Sequence, residues 1–213
     1  MMNSWLLQQG SGNCQKMLEL TSPWHRLQCH NHNINYVPRF SRVDPYPFSD
    51  SSENQVALVR ALRGEIAHIP IQSGDFLAIL DADAIWKYGD IRNALPDGYD
   101  MALFTGDGFV NSGFVALRAT NAVLDFWNEV LSLGPVRENN LLIDVRISER
   151  LFRKDCPLKV YSLLSEWNWF DSNGPFEFKP SCPRENAHII HWQSRHKSEA
   201  LEEMKQELCE AAL

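Results

Sequence analysis

The sequence lacks three features that would assign it to a large class of proteins. No run approaches the 18 or more apolar residues of a membrane helix, so we expect no membrane span. Positive charge is in deficit, because 20 Lys and Arg against 27 Asp and Glu leave a net charge of −7. That balance argues against a nucleic-acid partner or an anionic membrane surface. The five cysteines are scattered and odd in number, so we expect free thiols and a cytoplasmic protein.

The remaining composition is that of an ordinary globular chain. With 213 residues, 44% of them apolar, one domain spanning residues 1–213 is the simplest organisation. Short apolar runs alternate with segments in which apolar residues recur at helical spacing. This order predicts an α/β protein built as a three-layer α/β/α sandwich on a mainly parallel sheet. The predicted strands lie at 5–7, 34–37, 76–80, 99–104, 114–117, 158–164 and 188–192. The predicted helices lie at 14–30 (broken or bent near Pro23), 51–69, 120–131, 140–153 and from 198 onward, with a loop at 44–48.

The most informative motif is Asp81-Ala82-Asp83, which follows the apolar run Phe76–Leu80. That run predicts a strand buried on both faces, and ligands of open α/β sheets collect beyond the carboxyl ends of such strands. Two carboxylates fixed there form an oxygen-rich seat for Mn²⁺ or Mg²⁺, whose remaining ligands are often substrate phosphates. Elsewhere in proteins Asp-X-Asp is usually a solvated turn, but its position after a core strand favours a nucleotide-diphosphate site.

A different chemistry also uses a strand that ends in Asp-X-Asp. Phosphatase-like hydrolases attack phosphate with the first carboxylate, which here would be Asp81. Those proteins normally carry Thr or Val two residues after the second acid, together with a later pair of acids. Here Ile85 occupies that position, and no adjacent pair of aspartates follows. The hydrolase therefore stays the weaker alternative.

Three further stretches join this motif in one order along the chain. They are Val110–Arg118, which contains Asn111-Ser112-Gly113, then Leu142-Ile143-Asp144-Val145, and finally His191–Lys197. Together with the first motif, they resemble the nucleotide-sugar-dependent glycosyltransferases of the GT-A fold. The likeness is closest to the retaining galactosyltransferase and glycogenin-like families, and it covers roughly residues 54 to 200. It implies a Rossmann-like nucleotide-diphospho-sugar transferase.

The chain departs from the pattern of these families at three positions. Ser194 stands where the last stretch normally has Gly, Ser198 where many members have Pro, and Val145 where Gln usually follows the acid. These differences leave the nucleotide base and the sugar open. They also leave room for a non-catalytic nucleotide-sugar-binding protein on the same fold.

The resemblance implies a metal site and a site for the diphosphate. Asp83 would bind the ion, Asp81 would bind the ion or the ribose, and His191 would supply the third protein ligand. An imidazole ligand suits Mn²⁺ better than Mg²⁺, which prefers oxygen. Lys197 would reach the diphosphate and stabilise the leaving group. Arg195 or His196 in that role, or a merely solvated lysine, are the alternatives.

The resemblance also implies residues near the two sugars. Asn111, Ser112 and Gly113 would form a turn beside the acceptor and the donor sugar, where the amide can both donate to and accept from hydroxyls. An ordinary turn between strands is the alternative. Asp144 would lie near the anomeric carbon or bind hydroxyls of the donor sugar, although an acid in the first turn of a helix is common without any function. The predicted catalytic set is therefore Asp144, Asn111 and Lys197.

Two aromatic residues suggest where an acceptor could bind. Trp167, Asn168 and Trp169 follow a predicted strand, and tryptophan rings beside a cleft can stack on sugar faces; packing in the core is the plainer alternative. A zinc site at Cys29–His32 is disfavoured, because no second pair of ligands stands at the required spacing. We therefore expect a metal-dependent transferase that moves a sugar, most simply from a UDP-sugar, to a hydroxyl acceptor. Retention is implied by the likeness only.

Overall fold

The computed structural model describes residues 2–11, 14–41, 62–63, 70–106, 110–132, 142–170, 180–192 and 197–212. The predicted helix at 51–69 and the predicted loop at 44–48 lie outside these residues, apart from 62–63. The strands are β1 Ser4–Ser11, β2 Asn35–Ser41, β3 Phe76–Asp81, β4 Ala84–Trp86, β5 Met101–Thr105, β6 Val110–Arg118, β7 Val160–Ser162, β8 Trp169–Phe170 and β9 Ile189–His191. The helices are α1 Gln15–Asn31, α2 Asn121–Ser132, α3 Leu142–Leu151 and α4 Lys197–Ala211.

The main sheet has six strands in the order β2-β1-β3-β6-β5-β7. Strands β1, β2 and β3 pair in parallel, as do β5 and β7, whereas β6 runs antiparallel to both of its neighbours. One reversed strand among six leaves the sheet mainly parallel, which confirms the prediction. Strand β3 lies near the centre, with all of its residues buried.

Alternating side chains of β3 divide the core into two layers. Leu77 and Ile79 pack with Val123 and Ile147 of helices α2 and α3, while Leu80 packs on the opposite face in a cluster that includes Cys29 of α1. Successive residues of a strand point to opposite faces, so a continuous apolar run is what a strand covered by helices on both sides requires. The three-layer α/β/α arrangement is therefore confirmed.

A second, smaller sheet was not predicted. Its three strands lie in the order β4-β9-β8, with β4 antiparallel and β8 parallel to β9. Strand β4 begins one residue after Asp83, and its first residue, Ala84, pairs with His191. This pairing brings the end of the chain back to the acidic motif.

The helices follow the sequence closely, with one exception. Helix α1 is continuous through Pro23, so it is not broken there, and the bend given as the other possibility stays a prediction. Helix α2 is capped as predicted, because the Thr120 hydroxyl accepts a hydrogen bond from the amide of Val123 at 3.3 Å. None of the helices in the described ranges is long and apolar enough to cross a membrane.

Candidate metal site

Three side chains predicted as metal ligands meet at the carboxyl end of β3. The His191 Nε2 atom lies 3.3 Å from Asp83 Oδ1 and 3.6 Å from Asp81 Oδ2. All three side chains are buried, and one ligand atom from each lies within 4.8 Å of the others. The backbone joins the same segments, because the Trp192 amide donates to the Asp83 carbonyl at 2.9 Å. The turn and the strand that supply the ligands are therefore joined by backbone hydrogen bonds.

The donor set fits a divalent cation. In an octahedral shell with bonds of ~2.1 Å, adjacent ligand atoms stand about 3 Å apart, which is close to the separations of His191 Nε2 from the two carboxylates. Two carboxylates and an imidazole match the preference of Mn²⁺ better than that of Mg²⁺. Burying two carboxylates side by side is costly unless positive charge faces them. A bound divalent ion would supply that charge.

Glycine at position 113 creates the space for the histidine ring. A Cβ atom built on Gly113 would lie 2.8 Å from His191 Nε2 and closer still to Cε1 and Nδ1. Carbon atoms in contact normally stand ~3.5–4.0 Å apart, so the ring fills the volume that any larger residue would need. The glycine of the Asn-Ser-Gly motif is therefore a requirement of the His191 position.

The Asn111-Ser112-Gly113 segment lies inside β6 rather than in a turn before it, so that part of the prediction is wrong. The pairing of β6 with β5 is irregular at this point, since Leu103 pairs with Val115 while the next residue, Phe104, pairs with Asn111. Such an irregularity lifts residues out of the ladder and re-aims their side chains. The three residues are buried and reach the metal site through Gly113.

Asn111 is held by two donors. Its Oδ1 atom accepts from the Gly113 amide at 3.0 Å and from Asn168 Nδ2 at 2.7 Å. With both lone pairs of that oxygen engaged, the amide group has a fixed orientation. Asn168 is fully buried, and its side-chain amide contacts Asn111.

Asp144 lies in the first turn of α3 and faces the same segment. Its Oδ1 atom accepts a hydrogen bond from the Ser112 amide at 3.1 Å. Burial raises the pKa of the Asp144 carboxyl to about 6, and the bond from Ser112 and the nearby His191 offset only part of that rise. The structure thus brings Asp144 and Asn111 close to the three candidate ligands.

The aromatic residues predicted at the acceptor side have diverse environments. Trp167 is buried and stacks on His188, with ring centroids 4.3 Å apart. Trp169 is half-buried, donates to the Cys182 carbonyl and lies against the guanidinium of Arg184. The acceptor-binding role of Trp167, Asn168 and Trp169 stays a prediction, and only Trp169 keeps part of its surface exposed.

Lys197 begins helix α4, and its side chain lies outside the described part of the molecule, as do residues 193–196. Its predicted contact with a diphosphate stays a prediction. Two buried residues behind the acidic turn were missed by the sequence analysis, namely Gln8 of β1 and His25 of α1. The sequence did contain a signal for Gln8, because a glutamine that follows Trp5-Leu6-Leu7 in a core strand needs a buried hydrogen-bond partner.

The comparisons with known proteins bear on this arrangement. No family model matches the sequence, and no curated protein matches it. Among solved structures, a glycosyltransferase involved in glycosylation of the major capsid of PBCV-1 superposes with a TM-score of 0.71 at 13% identity. The alignment covers 96% of this chain and 99% of that one.

Two further glycosyltransferases extend the comparison. The bifunctional glycosyltransferase WbbM has a TM-score of 0.59, and the glycosyltransferase GlyE of Streptococcus pneumoniae TIGR4 has one of 0.55, each at 13% identity. The alignments cover 99% and 100% of this chain but only 52% and 64% of those chains, so this protein matches about half to two thirds of their length. The likeness, together with the mixed sheet, shows that this chain has the GT-A fold found in these glycosyltransferases.

Proposed function

We propose that this protein is a metal-dependent glycosyltransferase that moves a sugar from a nucleoside-diphosphate sugar to a hydroxyl acceptor. A UDP-sugar donor, a hexosyl group and retention of the anomeric configuration complete the proposal. The observation that carries it is the buried cluster of Asp81, Asp83 and His191 at the carboxyl end of β3, on a GT-A fold. We take residues 1–213 as one catalytic domain, and the five free thiols support a reducing, cytoplasmic setting.

Each side chain of the cluster has a part in holding the donor. Asp83 and His191 bind the cation, while Asp81 binds the cation or the ribose. When bound there, Mn²⁺ neutralises the diphosphate and acts as a Lewis acid towards the departing nucleoside diphosphate. Because the three ligands are buried and fixed by backbone pairing, the donor would be oriented without much reorganisation of the protein.

The residues of β6 and α3 would contact the donor sugar. Asn111, whose orientation is fixed by the two donors to its oxygen, would contact the sugar, while Ser112 and Gly113 would form the wall behind it. Asp144 would lie beside the reacting carbon, with Lys197 at the diphosphate. Replacement of Lys197 by Ala would then slow turnover more than it weakens donor binding, because its charge acts mainly on the departing group.

A thermal-shift panel tests the proposal directly. UDP-, GDP- and CMP-sugars are each added with and without Mn²⁺ to the wild-type protein, to Asp83→Ala and to the matched control Asp97→Ala. Asp97 is a fully exposed carboxylate near Arg118, so its loss should change nothing at the site. We expect stabilisation by a UDP-sugar that requires Mn²⁺, persists in the control and disappears in Asp83→Ala.

Three results would contradict the proposal in different ways. Stabilisation without metal would contradict the site. Tight donor binding with no release of nucleoside diphosphate in the presence of saccharide acceptors would indicate a binding protein. Release of phosphate from an artificial ester, lost in Asp81→Asn, would instead indicate the hydrolase.

A further inference from the structure

A buried chain of hydrogen bonds begins behind the acidic turn. Gln8 sits in the middle of β1 and is 1% exposed. Its Nε2 atom donates to the backbone carbonyl of Asp81 at 3.0 Å. Its Oε1 atom accepts from the Tyr36 hydroxyl at 2.8 Å and bonds the His25 Nδ1 atom at 2.9 Å. One side chain thus joins the first ligand residue to two neighbouring elements.

His25 continues the chain to the other end of the turn. The ring is fully buried, and its Nε2 atom accepts from the backbone amide of Trp86 at 3.0 Å. Since Nε2 accepts, Nδ1 must carry the proton and donate to Gln8, so the two contacts fix a neutral tautomer. Burial lowers the pKa of His25 to about 3, which keeps the ring neutral at physiological pH. The path from the Trp86 amide through His25 and Gln8 to the Asp81 carbonyl closes around the acidic motif.

Helix α1 also covers the open edge of β4. Among the described residues, strand β4 pairs only with β9, so the groups on its other side have no strand partner in that part of the chain. Side chains of one helix face bind them instead, because Trp24 Nε1 donates to the Trp86 carbonyl at 2.7 Å and Gln28 Nε2 to the Lys87 carbonyl at 3.1 Å. The helix therefore fixes the strand that pairs with His191.

We propose that Gln8 and His25 are positioning residues for the metal site. They hold the carbonyl of Asp81 and the amide of Trp86 at a fixed separation, and the segment between them carries both acidic ligands. Metal–ligand distances tolerate deviations of only ~0.2 Å, so a small relaxation of this segment would misplace a carboxylate. Loss of groups that orient metal ligands typically weakens metal binding about 10–100-fold. The inference rests on the proposed metal site and adds a cause for its geometry.

The test separates the two arms of the connection. Gln8→Met keeps the length of the side chain and removes all of its hydrogen bonds. His25→Asn keeps a donor near the Nδ1 position and loses the acceptor for Trp86, whereas His25→Gln keeps an acceptor near Nε2 and loses the donor to Gln8. Val130→Ala in α2 is the control, because Val130 is fully buried in the cluster on the opposite face of the sheet.

Free Mn²⁺ is titrated by electron paramagnetic resonance, after circular dichroism has shown that each variant is folded. We expect Gln8→Met to weaken Mn²⁺ binding at least tenfold and each His25 variant at least threefold, while Val130→Ala stays within twofold of wild type despite a lower Tm. The spin-echo modulation from the imidazole nitrogen of His191 should also decrease in Gln8→Met and persist in the control.

The failures of the two proposals differ. If the wild-type protein binds Mn²⁺ but the Gln8 and His25 variants bind it equally well, these residues stabilise the fold only, and the inference is overturned. If Gln8→Met does not fold, the two His25 variants decide the question, and a loss of Mn²⁺ affinity below threefold in both overturns the inference. If the wild-type protein itself binds no Mn²⁺ that Asp83→Ala abolishes, the metal site fails, and the positioning role falls with it.

Discussion

Replacement of Gly113 by Ala is the sharpest perturbation that the site offers. Even His191 Nε2, at 2.8 Å from the added Cβ, would be about 0.7 Å inside the ~3.5 Å contact distance, and two other ring atoms are closer. The imidazole cannot retreat freely, because His191 is buried on a strand that is paired on both sides. A displacement of that size exceeds the ~0.2 Å tolerance of a metal–ligand bond several-fold. We therefore expect the variant to lose the histidine ligand.

The effect can be expressed as a change in metal-dependent stability. At a Mn²⁺ concentration of 100 times the wild-type Kd, binding adds about 2.7 kcal/mol to the free energy of unfolding. If Kd rises a hundredfold, the same concentration adds only about 0.4 kcal/mol. For a domain of this size, 1 kcal/mol corresponds to about 2–4 °C, so the Mn²⁺-dependent rise in Tm should decrease from roughly 5–10 °C to about 1 °C. Overpacking should also reduce the free energy of unfolding of the metal-free protein by about 1–3 kcal/mol, and its Tm should fall accordingly.

Two controls isolate the cause. Gly98→Ala introduces the same methyl group at a position where nothing lies within 4 Å of it, and its positive φ of 84° adds backbone strain. That variant should be less stable but should keep the full Mn²⁺-dependent shift. In a double-mutant cycle, Gly113→Ala should add nothing to the loss of Mn²⁺ binding in His191→Ala, because the methyl group acts through the ring. A folded Gly113→Ala protein with the wild-type Mn²⁺ shift would refute the reasoning.

Three further predictions concern the surroundings of the site. Burial holds the pKa of His25 near 3, so as the pH drops this side chain is protonated in the unfolded chain before it is protonated in the folded protein. The free energy of unfolding should therefore fall below about pH 6.5, by about 2 kcal/mol at pH 5. Urea titrations should show a smaller decrease in His25→Gln. The raised pKa of Asp144 has the opposite sign, so metal-free protein should lose stability as pH rises from about 4 to about 6, and Asp144→Asn should remove that loss. The guanidinium of Arg184 lies 5.5 Å from the ring of Trp169 and 5.3 Å from that of Trp192, and it donates to Glu207 of α4 at 3.1 Å. Arg184→Leu should therefore cost about 1 kcal/mol and accelerate hydrogen exchange in α4 without changing Mn²⁺ affinity.

The parts of the fold that the sequence predicted are those encoded locally. The apolar run at Phe76–Leu80 is long enough to specify a buried strand, and the cap at Thr120 marks the start of α2. Strands β4, β8 and β9 have only two or three residues each, so they depend on pairing between separate segments, about 20 residues apart for β8 and β9 and about 100 residues apart for β4 and β9. No local pattern reveals such strands, and the second sheet was therefore missed.

The candidate site divides in the same way. The acidic pair could be recognised from its position after a core strand, but the partnership with His191 came from a family likeness rather than from local spacing. Trp167 and Trp169 show a case in which local sequence suggested the wrong surroundings. Two tryptophans so close together suggest an exposed platform, but the fold stacks Trp167 on His188 and places Trp169 against Arg184. Exposure is a property of the assembled layers, so a pair of tryptophans does not report it.

The location of the three ligands connects the chemistry of the site to the architecture. Asp81 ends a strand of the main sheet, whereas His191 belongs to the second sheet, and Gly113 of the main sheet supplies the space for its ring. A cation held by both residues would join the two sheets, so part of its binding free energy would stabilise their packing. The hydrogen bonds behind the turn explain why buried polar residues are tolerated in this part of the core. Each hydrogen bond of Gln8 and His25 ends on a neighbouring element, so the cost of burying these groups is offset while the turn is kept in one geometry.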